Sequence, residues 1–100
     1  MIKHIVMWRL KDRAHGQDKA TNVRAIKERL ESLRGSIPEL LRIEIGIDFS
    51  RTENSADVVL YSEFSDRAEL DTYQKHPAHE AVKAFIMEVC TERRIADYAD

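Results

Sequence analysis

The order in which hydrophobic periodicity changes along this chain constrains its fold more than any other feature. From Ile2 to Leu10 the period is two, so Ile2, His4, Val6, Trp8 and Leu10 share one face of a strand and Lys3, Ile5, Met7 and Arg9 the other. The polar stretch from Lys11 to Gln17 reads as a connection. From Asp18 to Arg34 the period lengthens: at about 100° per residue, Val23, Ile26, Leu30 and Leu33 fall on one helical stripe. Gly35 just past it supplies a helix stop. Alternation returns in Leu41 to Phe49 and again in Asp57 to Phe64, separated by the polar turn Ser50 to Ala56. Asp66 with Glu69 three residues on forms a capping box and starts a short helix over Arg67 to Lys75. Pro77 suits the first position of a further helix reaching about Cys90. Arg93 to Tyr98 reads as a last short strand.

That order is βαββαβ, the second α being split in two. Two right-handed crossovers then interleave into an α+β, ferredoxin-like arrangement: a four-stranded antiparallel sheet with helices on one face. At 100 residues it makes one domain, residues 1–100, with no internal repeat or linker. Helices on one side leave the other side of the sheet bare, and there Ile5, Met7, Val59 and Tyr61 are apolar where a solvated face alternates cleanly to polar. The expectation is a homodimer in which two sheets pack face to face and close a barrel.

Charge and cysteine content remove several function classes. The net charge is −2 with acids and bases interspersed, so no basic patch for nucleic acid or a membrane surface is expected. No apolar run approaches the roughly 20 residues of a membrane helix. Cys90 stands alone, which suits a reducing compartment, and the strand-like start carries no leader pattern; the cytoplasm is the expected location. The three glycines are isolated, so there is no phosphate loop, and no serine sits in a nucleophile elbow. His76 and His79 at i, i+3 lack a third ligand, and neither metal nor cofactor is expected.

The chemistry-bearing residues concentrate in Tyr73-Gln74-Lys75-His76-Pro77-Ala78-His79 and in His4. Ala78, Ala81, Val82, Phe85, Ile86 and Val89 form the apolar stripe of the helix after Pro77, and His79 lies on its flank beside Val82 and Ile86. In the first helical turn the macrodipole favours neutral imidazole, which suits a general base. His4 shares its strand face with Trp8 and so lies under the helices, as a satisfied core residue or a site residue. His76 reads as a turn and helix-start residue, and His15 before Gly16 as solvated. Tyr73 reads as packing or as a phenol folded back toward the same cavity. Glu80 projects from the polar side, and Cys90 late in a helix is poorly placed for a lowered thiol pKa.

With these strings in hand, the chain resembles the stress-responsive dimeric α/β-barrel (Dabb) family. The likeness rests on Ile2-Lys3-His4-Ile5-Val6, Leu10-Lys11-Asp12, Asp57 through Phe64, the Tyr-x-x-His-Pro-x-His string and the closing Ala96-Asp97-Tyr98. The resemblance implies a ferredoxin-like protomer, a barrel-shaped dimer and a pocket between helices and sheet. In a plant polyketide cyclase of the family, the residues matching His79, Tyr73 and His4 line that pocket, the first as base and the second as its partner. Here Asn22 and Ile26 stand where that enzyme has first-helix aromatics, and Trp8 could fill the space left there for an alkyl tail.

The expected function is therefore binding of a small, partly apolar molecule. His79, Tyr73 and His4 are the polar contacts, and Trp8, Asn22, Ile26, Leu60, Val82 and Ile86 the lining. A cyclase- or lyase-type enzyme with a histidine base is the alternative. Haem- or quinol-dependent oxygenation, known among dimeric barrels, has no residue in its favour, and a purely structural stress protein is the fourth possibility.

Overall fold

A computed structural model describes all residues, 1–100. In chain order the elements are β1 (Ile2–Leu10), the two-residue strands β2 (Arg13–Ala14) and β3 (Gln17–Asp18), α1 (Lys19–Glu31), β4 (Arg42–Ile47), β5 (Val58–Phe64), α2 (Arg67–Lys75), α3 (Pro77–Val89) and β6 (Cys90–Ala99). The main sheet runs β4-β5-β1-β6, antiparallel throughout. This is the ferredoxin-like arrangement expected from the order of periodicities.

The alternation of β1 decides which face is core. Ile2, His4, Val6, Trp8 and Leu10 are all buried, and the register sets His4 opposite Ser62 and Val6 opposite Leu60. The stripe of α1 packs on this face, and Leu33 and Ile37 close the core beyond the helix. The helix ends at Glu31, three residues before the expected Arg34, and the chain turns through Gly35 at φ +78°. Asp18 caps α1 by accepting from the Thr21 N–H at 2.9 Å, and Asp66 caps α2 from the Glu69 N–H at 2.8 Å. His76 joins the two last helices: it ends α2, and its Nδ1 accepts from the Ala78 N–H at 3.1 Å to open α3.

Three local readings need correction. The stretch Lys11 to Gln17 contains a hairpin, β2–β3, whose corner residues His15 and Gly16 both adopt positive φ. His15 is also not simply solvated: it pairs with Glu88 at 2.5 Å and packs against the Phe85 ring, so the hairpin is fastened to α3. The last strand is longer than expected, Cys90–Ala99, because Glu92 through Ala99 pair in continuous register with β1 and Cys90 pairs with Leu10 past a bulge at Thr91.

The face away from the helices carries Ile5, Met7, Val59, Tyr61, Ala96 and Tyr98 in adjoining register positions, with Met7 42 % and Tyr98 46 % exposed. Lys3, Glu63 and Arg42 form a charged end to this apolar band.

Candidate functional site

Between α3 and the β1–β6 edge of the sheet lies a cavity of about 210 Å³. Val6, Trp8, Leu30, Leu60, Val82 and Ile86 supply most of its apolar wall. His4 and His79 bring imidazoles to it from opposite sides, one from the sheet and one from the first turn of α3.

Each imidazole is held through Nδ1. His79 Nδ1–H donates to the Gln74 carbonyl at 3.0 Å, the last turn of α2 serving as acceptor. A carbonyl only accepts, so this bond fixes the proton on Nδ1 and leaves Nε2 with its lone pair. Burial holds the His79 pKa below the usual histidine value, and the nearby His4 and Lys83 push the same way against the Gln74 carbonyl and Glu80. His4 is 2 % exposed, and its Nδ1 hydrogen-bonds the carboxylate of Asp97, directly opposite in the β1–β6 ladder. The single buried side-chain polar atom without a partner is Tyr73 Oη. The Nε2 atoms of His4 and His79, both cavity-lining residues, take part in no hydrogen bond of the protein.

Tyr73 stands behind His79 and not on the cavity wall. Its ring is 4.6 Å from that of His79 and 6.3 Å from that of His4, centroid to centroid, and it is 0 % exposed. Burial pushes its phenol up to about 12, so it is a neutral donor at any physiological pH.

Two residues expected in the lining lie in the core. Asn22 donates from its amide to the Ala14 carbonyl at 3.0 Å, tying α1 to the β2–β3 hairpin, and is 2 % exposed. Ile26 is fully enclosed. The hairpin, unseen in the sequence reading, is what gives Asn22 this partner. Leu30, one turn on from Ile26, is the α1 residue that reaches the cavity. Cys90 also touches the cavity, with burial pushing its thiol up to about 11, so it is an inert wall residue. No group of three histidine, cysteine or carboxylate side chains converges as a metal site would require.

Asp97 is the residue the sequence reading missed as a site member. Its signal was available in the antiparallel pairing of first and last strands, but only once the register was fixed.

The family model of the stress-responsive A/B barrel domain, Dabb, matches residues 2–100. The chain belongs to that family. Among solved structures, a dimeric protein of unknown function with a ferredoxin-like fold from Bacteroides fragilis is 30 % identical, with a TM-score of 0.85 over 97 % of this chain and 93 % of the other. A dimeric ferredoxin-like protein of unknown function from Thermobifida fusca is 26 % identical, with a TM-score of 0.84 over 98 % and 89 %. The hydroxynitrile lyase of Passiflora edulis is 18 % identical, with a TM-score of 0.80 over 97 % and 90 %, a likeness of fold. No curated protein matches the sequence. No helix is long and apolar enough to cross a membrane.

Proposed function

We propose that this Dabb protein is a cytoplasmic homodimer binding one small, partly apolar molecule per protomer, in the cavity between α3 and the sheet. The observation that carries the reading is the convergence of two imidazoles, each anchored through Nδ1, on an otherwise apolar cavity. Apolar walls with a few placed polar groups are what a small-molecule site needs. A ligand hydroxyl seated between the rings donates to a free Nε2. A panel of phenolic and β-keto compounds tests this by thermal shift. A binder present at 100 times its Kd stabilises by about 2.7 kcal/mol. At least one compound should protect the wild type and fail to protect His79→Ala; a panel that protects neither, or both equally, contradicts the reading.

One observation favours catalysis over binding alone. His79 is neutral, desolvated and offers a bare Nε2 beside a buried neutral phenol. That Nε2 suits abstraction of a proton next to a carbonyl, while the phenol, packed behind the ring, backs the base and does not touch the substrate. On this lyase- or cyclase-type reading, His79→Ala lowers turnover by roughly 10²–10⁴-fold. Turnover unchanged in that variant removes His79 as the base.

The dimer reading rests on the apolar band of Ile5, Met7, Val59 and Tyr98 on the outer sheet face. Light scattering after size exclusion should give twice the 11.6 kDa protomer mass, and the protomer mass alone at micromolar concentration contradicts it.

A further inference from the structure

The two free cations on the cavity wall set its ligand class. Lys83 projects from α3 and Arg93 from β6, so they approach the cavity from opposite walls. Neither takes part in any ion pair of the protein.

The carboxylates nearby are all accounted for elsewhere. Asp97 is committed to His4. Glu88 is taken by His15. Glu80 lies near His79 Nδ1 at 4.0 Å but is off the cavity wall and over half exposed. Glu92 touches the cavity, yet its register partner is Arg9, on the sheet face away from the helices, and it also borders the outer-face depression with Met7 and Arg94. Side chains alternate along a strand, so Glu92 points outward while Arg93, opposite Trp8, points to the cavity side. The cavity is left with two unpaired positive charges, and its one bordering carboxylate, Glu92, turns to the outer face.

We infer that the cavity is built for a carboxylate-headed molecule with an apolar body, its head between Lys83 and Arg93 and its body against Trp8, Leu60 and Ile86. This rests on the binding reading above and adds the charge of the ligand to it. Size agrees: an apolar cavity of about 150 Å³ takes benzene, so one of 210 Å³ takes a phenyl-sized body with a short chain. An exposed guanidinium and a half-buried ammonium confer preference by charge-assisted hydrogen bonds, and that preference weakens as salt screens them.

Hydrocinnamate and hydrocinnamyl alcohol share one apolar body and differ in the head, which makes them the test pair. Titration of the full chain is followed by calorimetry and by the imidazole resonances of His4 and His79. The acid should bind about tenfold more tightly than the alcohol at low salt, shift both imidazoles and lose its advantage at high salt. In the double variant Lys83→Met, Arg93→Met, both ligands should bind with the alcohol's affinity; Met keeps the apolar stems, and Lys83→Glu should reverse the order of preference. Equal affinity in the wild type, a preference that survives the double substitution, or acid binding that leaves the imidazoles unmoved overturns the inference while the cavity reading stands. Failure of both compounds to bind overturns the cavity reading and the inference together.

Discussion

Replacing Tyr73 by phenylalanine should make the protein more stable and leave its cavity unchanged. Tyr73 Oη is buried with no hydrogen-bond partner, and an unsatisfied buried donor costs about 1–3 kcal/mol. Removing the oxygen leaves a void of roughly one atom; at about 24 cal/mol per Å³ of cavity that returns only a few tenths of a kcal/mol. The ring contacts with Phe64 and His79, at 4.8 and 4.6 Å between centroids, are kept. The net is a gain of about 1 kcal/mol, which for a domain of 60–100 residues raises Tm by roughly 4–8 °C. Urea and thermal unfolding at one fixed protomer concentration measure it, since a dimer's Tm moves with concentration. Protection by a cavity ligand should be unchanged, because the phenol lies behind His79 and off the cavity wall. A Tyr73→Phe variant that melts lower than wild type would refute the reasoning, because it would show the hydroxyl satisfied in the folded protein.

Three further outcomes follow from the same geometry. The folded-state pKa of His79 lies below its unfolded value, so the unfolded chain takes up the proton first as pH falls; stability should drop below about pH 6.5, and His79→Gln should flatten that limb of the unfolding curve. Asp97→Asn should cost well under 1 kcal/mol, because Asp97 is 41 % exposed, yet weaken cavity ligands about tenfold by releasing the His4 ring that the carboxylate orients, as titration calorimetry would show. Asp66→Ala removes the cap of α2 and should cost about 1 kcal/mol in urea unfolding, with no change in ligand affinity.

What was legible in the sequence was whatever rests on local periodicity. The buried face of β1, the stripe of α1 and the His76-Pro77 junction follow from side-chain spacing and from proline's preference for a first helical turn. What was not legible depends on register between distant segments. His4 meets Asp97 across 93 positions of chain, through a β1–β6 pairing whose alignment no local pattern fixes. Asn22 turns from a lining residue into a structural one because a two-residue hairpin places the Ala14 carbonyl against it, and polar residues such as Arg13 and Gln17 give such short strands no alternation to detect. Tyr73 was placed near the cavity by sequence proximity to His79, but α2 sets its ring behind the histidine instead of beside it.

The chemistry proposed for the cavity depends on His79 being a neutral imidazole with its proton on Nδ1 and a bare Nε2. Imidazole nitrogen shifts in a long-range proton–nitrogen correlation spectrum near pH 7 report this directly. The account expects His79 to show a protonated Nδ1 and an unprotonated Nε2, with the Nε2 resonance moving when a cavity ligand binds. A cationic ring, or a proton resident on Nε2, would contradict it.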